Sequence, residues 1–351
     1  MPAFAVGITE SNPHLLAPGP QPARFRRFRD ALAALAPSYV RVLVDWSAIQ
    51  PSASAPPDWR VAGDGCDRGR PPCAPTHGIL DTLRAVQARG ARPVILFYGT
   101  PDWAGEQPSG CDRAAIAPRA RMPRPAPYRA LVRSLVALGR AQHLDLAYWS
   151  AWNEPNLPVF LAPQRAACDG SSPSLAVGEY TRLARVLQRE VGLDHMVVGE
   201  ASGIGPHSSA TGAAELARGL PDDLVCGAAA WAQHAYVTVP RDQGRRQEAV
   251  PRSLTAGIVG DVERALDGHR CGHRVPVWIT ETGAGSRPGA CAAMAAQLRA
   301  WRADPQVTAA FQYTLREDPF FPTGLADPGL TRLYPAYEAW RTRGAGPCPD
   351  G

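Results

Sequence analysis

Eight short runs rich in β-branched and aromatic residues alternate with longer segments of helical period from one end of this chain to the other. The runs are "FAVGI" (4–8), "YVRVLV" (39–44), "RPVILFY" (92–98), "LAYWSAW" (146–152), "HMVVGE" (195–200), "AAAWAQHAY" (228–236), "PVWIT" (276–280) and "AAFQYT" (309–314). Between them lie "FRRFRDALAALA", "GILDTLRAVQARG", "PYRALVRSLVALGRAQ", "EYTRLARVLQREVG" and "SLTAGIVGDVERALDG". Short apolar runs of this composition read as buried strands, and the longer segments read as amphipathic helices. Strands separated by helices must run parallel, because a helix carries the chain back to the same end of the sheet. Eight such units, ending in "PAYEAWRTRG", predict an α/β fold, a (β/α)8 TIM barrel, spanning 1–351 as one domain. A doubly wound sheet would also alternate in this way, but no GxGxxG follows the first strand. Stretches rich in Pro and Gly at 51–76, 101–127 and 157–178 follow strands 2, 3 and 4, and so read as long loops on one face.

Composition removes several classes of chemistry. Hydrophobic residues make up 45% and charged residues 20%, the balance of a globular chain. The net charge of +5 comes from arginine alone, since the chain holds no lysine, and lysine Schiff-base chemistry is excluded. The arginines are spread over many segments with few interleaved aromatics, which argues against a nucleic-acid partner. No apolar run has the length of a membrane-spanning helix, so no membrane partner is expected. Arg113, Arg119, Arg121 and Arg124, after strand 3, fit an acidic glycan and equally a coding bias toward arginine.

Eight cysteines without a CxxC pair favour disulfides over a zinc or redox motif, although eight allow 105 pairings. Joining neighbouring elements gives Cys66–Cys73, Cys111–Cys168, Cys226–Cys271 and Cys291–Cys348. Such bridges imply an oxidising compartment. "MPAFAVGITESNP" lacks a signal-peptide pattern, so either a signal has been removed or the chain is not exported; the cysteines favour a secreted protein.

The barrel reading locates two carboxylates. Glu154 follows strand 4 in "AYWSAWNEPNLP" and Glu281 ends strand 7 in "VPVWITETGAG". In such barrels the chemistry sits where strands end, because the βα-loops converge there. Strands 4 and 7 lie three steps apart around the ring, so their ends can face each other across the mouth. Two facing carboxylates suit cleavage of a glycosidic bond, one protonating the leaving oxygen while the other attacks or activates water. Glu200, at the end of strand 5, is a rival carboxylate without flanking signature. "TGAGSRPG" (282–289) could cradle a phosphate, as in an aldolase or isomerase, but the paired glutamates and missing lysine oppose this. The eight histidines form no HxH or HExxH, and no GxSxG is present, so neither metal nor cofactor is expected.

"WNEPN" and "ITETG", joined by "VRVLVDWSAIQP", "GTPDWA" and "HAY", resemble the signatures of clan A retaining glycoside hydrolases, most of all the cellulase-like proteins around family 39. The resemblance implies a poly- or oligosaccharide substrate and double displacement. Under it Glu154 is the general acid/base, which must hold a proton near working pH, and Glu281 is the nucleophile. Asn153 binds the sugar 2-hydroxyl, Arg41 keeps the nucleophile ionised, and Tyr236 donates a hydrogen bond to it. His234 orients a neighbour or lines the sugar site. Trp46, Trp103 and Trp152 stack on sugar or join the core. Where the clan carries a strand-8 tryptophan, this chain offers Tyr313 and Arg316. A monomer is expected. The non-enzymatic alternative is a carbohydrate-binding pseudoenzyme on the same barrel.

Overall fold

The computed structural model describes residues 4–10, 12–17, 23–60, 78–111, 113–205, 209–237, 257–318 and 321–349. Its eight strands are β1 Ala5–Thr9, β2 Tyr39–Asp45, β3 Arg92–Tyr98, β4 Tyr148–Ser150, β5 Val197–Ala201, β6 Ala230–His234, β7 Val277–Thr282 and β8 Val307–Tyr313. They form one sheet in the order β4-β3-β2-β1-β8-β7-β6-β5, with every pair parallel. A parallel bridge between Trp149 and Met196 brings the two outer strands, β4 and β5, together, so the sheet closes into a (β/α)8 barrel. All eight strands read from the sequence are present. β4 is shorter than its apolar run, because beyond Ser150 the backbone is claimed by other partners: the Tyr128 hydroxyl donates to the Ala151 carbonyl at 2.7 Å.

The helices that follow the strands are α1 Ala23–Ala34, α2 Ile79–Ala88, α3 Pro125–Ala141, α4 Ala176–Val191, α5 Ala213–Gly219, α6 Ile258–Leu266, α7 Ala290–Ala303 and α8 Ala336–Arg341. Each buries one stripe against the sheet. In α4 the stripe is Tyr180, Leu183, Ala184 and Leu187, at the spacing of one helical face. α3 begins on Pro125, where the missing N–H costs no intrahelical bond. The sequence gives no advance sign of α5, whose seven residues are too few for a periodic pattern.

Two cores result. One lies between strands and helices; the other, built from Val94, Val197, Ala230, Ala232, Trp278, Ala309 and Phe311, fills the barrel itself. Near the strand starts Tyr39 packs 4.7 Å from Trp278, and Tyr148 lies 5.0 Å from the same indole. Gly7 makes room for this plug, since a Cβ there would stand 2.3 Å from the Phe311 ring. With that end sealed by aromatics, the polar interior sits at the opposite end, where the strands finish.

Three of the four proposed disulfides are formed: Cys111–Cys168, Cys226–Cys271 and Cys291–Cys348. Cys66 and Cys73 lie outside the described residues. Among the described residues no helix is long and apolar enough to cross a membrane.

Candidate active site

The "WNEPN" segment leaves β4 by dividing its side chains between core and cleft. Trp152 is fully buried, and its indole N–H donates to the Phe160 carbonyl at 2.7 Å. Asn156 is also buried; its amide donates to the carbonyls of Ser202 and Thr211 and accepts from the Ser202 N–H, tying this loop to the one after β5. Between these two anchors Asn153 and Glu154 turn toward the barrel axis.

Backbone irregularity aims the remaining groups. Parallel registers slip between Gly199 and Ala201, between Gln233 and His234, and between Ile279 and Thr282. Such bulges re-aim side chains at strand ends. Glu154 and Glu200 hold left-handed backbones, with φ of 39° and 50°, and the Glu154 N–H donates to the Glu200 carbonyl at 3.0 Å. For residues bearing a Cβ this conformation costs on the order of 1 kcal/mol, and it persists where surrounding bonds enforce it.

The side chains so aimed form one polar cluster. Arg41, fully buried on β2, donates to Glu281 Oε1, to Asn153 Oδ1 at 2.6 Å, and to Glu200 Oε2 through two nitrogens at 3.1 and 2.9 Å. His234 presents Nδ1 to Glu154 Oε1 at 2.8 Å and Nε2 to Glu200 Oε2 at 2.9 Å. Its Nδ1 also stands 3.3 Å from Glu281 Oε2, and the Tyr236 hydroxyl donates to that same oxygen at 2.7 Å. Thr280 donates to Glu200 at 3.1 Å. One oxygen each of Glu154 and Glu281 and one ring nitrogen of His234 all lie within 4.8 Å of one another.

Exposure separates the three carboxylates. The Glu154 and Glu281 side chains keep 14% and 10% of their surface open, whereas Glu200 has none. Glu200 therefore cannot touch a ligand and serves as the buried counter-ion beneath the pair. Its ionisation follows from that place. Burial disfavours the charge, but the Arg41 guanidinium and the His234 imidazole outweigh it and hold the carboxyl at about 2. Burial likewise opposes charge on His234, yet Glu281, Glu154 and Glu200 together lift it to about 9, so the ring is an imidazolium at neutral pH. Burial and the neighbouring Glu281 carboxylate push the Tyr236 phenol well up, which keeps it a hydrogen-bond donor.

Glu154, His234 and Glu281 have the spacing of a three-ligand metal site. Imidazole binds a metal only when neutral, and here the His234 proton is held tightly while Arg41 lies 3.3 Å from the other ring nitrogen. The cluster suits a proton better than a cation.

Other sequence-based candidates fall elsewhere. Trp46, like Trp152, has no exposed surface and belongs to the core, because the helix Trp46–Ile49 folds directly back after β2; neither indole offers a face to sugar. Trp103 is partly buried and donates to the Gln50 carbonyl at 3.0 Å. Tyr313 is half-buried at the end of β8, its hydroxyl 3.4 Å from Asp318 Oδ2. Three arginines after β3 are committed to the fold: Arg119 pairs with Asp45, Arg121 lies 3.8 Å from Asp102, and Arg124 donates to the Trp103 carbonyl. Arg113, the fourth, is exposed. The glycines of "TGAGSRPG" have a packing role as well, since a Cβ on Gly283 would stand 2.6 Å from the Thr323 carbonyl and one on Gly285 2.5 Å from that of Pro322. Glu200 and Asn156 are the residues whose weight sequence reasoning underrated. The one available signal was a carboxylate at a strand end.

No protein-family model matches the sequence, and no curated protein matches it. Solved structures with the same fold include a family 39 glycoside hydrolase from the gut symbiont Bacteroides cellulosilyticus WH2, with 16% identity and a TM-score of 0.55 over 98% of this chain and 64% of that one. The exo-beta-1,4-mannosidase Op5Man5 from Opitutaceae bacterium strain TAV5 has 18% identity and a TM-score of 0.57 over 97% of this chain and 59% of its own. The endo-beta-1,4-glucanase Xac0029 from Xanthomonas axonopodis pv. citri has 13% identity and a TM-score of 0.57, over 97% of this chain and 98% of that one. The chain thus spans less than two thirds of the first two. At these identities the likeness is one of fold.

Proposed function

We propose that this chain is a retaining glycoside hydrolase acting on a poly- or oligosaccharide. One observation carries the reading: Glu154 and Glu281 are the two open carboxylates of an otherwise buried cluster, and their oxygens approach within 4.8 Å. Retaining enzymes hold their carboxyls about 5–5.5 Å apart, whereas inverting ones leave roughly 6.5–9.5 Å for a water. Similarity in fold to a mannosidase and a glucanase agrees with the class and leaves the sugar open.

In the first step a Glu281 oxygen attacks the anomeric carbon as the bond to the leaving oxygen breaks, and Glu154 gives that oxygen its proton. The product is a glycosyl ester on Glu281. In the second step Glu154 takes a proton from water, the hydroxide attacks the anomeric carbon, and Glu281 leaves as a carboxylate. Arg41 and Tyr236 address both Glu281 oxygens, which matches the lone pairs of an attacking and departing anion. Asn153 has its oxygen occupied by Arg41, so its NH2 end is left to donate to a sugar hydroxyl. Three carboxylates face one guanidinium and one imidazolium, and one further proton neutralises the set; Glu154 carries that proton in this mechanism. The disulfides support a secreted enzyme, which we take to be a single-domain monomer.

The test is trapping with a 2-deoxy-2-fluoro glycoside followed by peptide mass spectrometry. The label is expected on Glu281 and not in Glu281→Gln. Glu154→Ala should slow substrates with poor leaving groups by about a hundredfold or more and activated aryl glycosides far less. Equal losses on both, or product released with inverted anomeric configuration, would refute the assignment.

A further inference from the structure

Among the described residues only Val159 and Phe321 are large hydrophobic side chains with strong exposure, at 68% and 38%. Phe321 is not at a random place. Its ring stands edge-on to Tyr236, centroids 4.6 Å apart at 67°, and Tyr236 is the residue whose hydroxyl meets Glu281. A second edge contact, at 5.9 Å, joins it to Tyr313 at the end of β8.

Phe321 and the residues that follow it are held by hydrogen bonds. The Phe321 N–H donates to the Asp318 carbonyl at 3.1 Å, and its carbonyl accepts from the Thr323 N–H at 2.8 Å. Thr323 donates its hydroxyl to the Tyr313 carbonyl, and Gln312 donates to the Thr323 carbonyl, each at 2.8 Å. The loop then lies flat across the end of the nucleophile strand, against Gly283 and Gly285, where no side chain would fit. Two glycines close behind Glu281 are thus what lets this loop place an aromatic ring beside the nucleophile.

We infer that Phe321, braced by Tyr236 and Tyr313, is the stacking face for the sugar bound at Glu281, and that this sugar is an uncharged pyranose. The inference rests on the glycosidase reading and adds the residue that selects the sugar. A pyranose has one face of C–H groups that gains by covering apolar surface, while its hydroxyls turn to the polar cluster. Charge gives the second half. Among the described residues around this ring the acidic groups are Glu281, Glu154 and Asp318, the cations Arg41 and His234 are buried and engaged, and Arg119, Arg121 and Arg124 after β3 have partners of their own. A sugar carboxylate would find repulsion and no free partner among them.

The experiment compares 4-nitrophenyl glycopyranosides of neutral hexoses and pentoses with the matching uronides, using the wild-type chain and Phe321→Ala, Phe321→Leu and Phe321→Tyr. Turnover of neutral glycosides is expected, with KM raised about tenfold in the Ala variant and kcat changed much less. The Tyr variant should stay within about threefold of wild type, and the Leu variant should lie near Ala despite its apolar bulk. Melting temperatures read alongside identify a variant that merely unfolds, and Phe321→Tyr then decides whether an aromatic face restores KM. An unchanged KM in a folded Ala variant, full activity with Leu, or preference for uronides would overturn the inference while leaving the glutamate assignment standing. Absence of turnover of every glycoside by a folded wild-type protein would overturn the glycosidase reading itself.

Discussion

His234 sits where three carboxylates converge, and its protonation ties folding to pH. Its folded value of about 9 lies above the ordinary 6.5, so the native state binds this proton more tightly than the unfolded chain. The contribution is complete below pH 6.5 and is lost as pH rises from there through 9. Glu200 acts in the opposite sense: held at about 2 against an ordinary 4.5, it contributes above pH 4.5 and ceases as pH falls through 2. Together the two give their full effect between pH 4.5 and 6.5. Urea unfolding at pH 6 and at pH 9.5 should therefore show a loss on the order of 3 kcal/mol attributable to His234. His234→Gln should flatten that alkaline decline; an equally steep fall in the variant would mean that some other group releases the proton.

Elements deliver these residues through their irregular ends, and the glycines show what such ends require. Gly283→Ala would drive a Cβ to within 2.6 Å of the Thr323 carbonyl and 3.1 Å of the Gln312 amide nitrogen, lifting the loop after β8. A loss of about 1–3 kcal/mol is expected, with a fall in kcat/KM, since Phe321 moves with the loop. Gly178→Ala is the control: it lies in α4 with nothing within 4 Å of the new Cβ, so a gain of about 0.5–1 kcal/mol should appear with unchanged kinetics. If Gly283→Ala is as stable as wild type, the loop after β8 does not depend on the close approach at Gly283. The same contrast marks what could be read beforehand. Strands and long helices were legible because burial repeats along them, as in β3 or α4. Their order then placed Glu154 and Glu281 at one mouth. The left-handed turns at Glu154 and Glu200, the register slips in β5 to β7, and the burial of Trp46 and Trp152 were not legible, because each depends on contacts between segments far apart in sequence.

At the scale of the whole molecule, the disulfides divide stability from chemistry by their placement. Cys111–Cys168 joins the loops after β3 and β4, on the face that carries Glu154, while Cys226–Cys271 joins segments that precede β6 and β7, at the sealed end of the barrel. Each closes a long loop, with separations of 57 and 45 residues, and the loop-entropy model assigns about 4 kcal/mol to either. Stability should therefore fall by similar amounts when either pair is replaced by Ser, measured as the shift in urea midpoint. Activity should not. Removing Cys226–Cys271 is expected to leave kcat/KM within about twofold at a temperature where the variant is folded, because conservation of shape at that end serves the barrel and not the cleft. Removing Cys111–Cys168 frees Gly110 and Cys111 from the Arg165 backbone, against which they pack, and so loosens the wall that follows "WNEPN". Its kcat/KM should drop severalfold in protein that still melts cooperatively. Equal kinetic losses from both pairs would show that the two ends of the barrel are mechanically coupled, contrary to the separation argued from where the bridges lie.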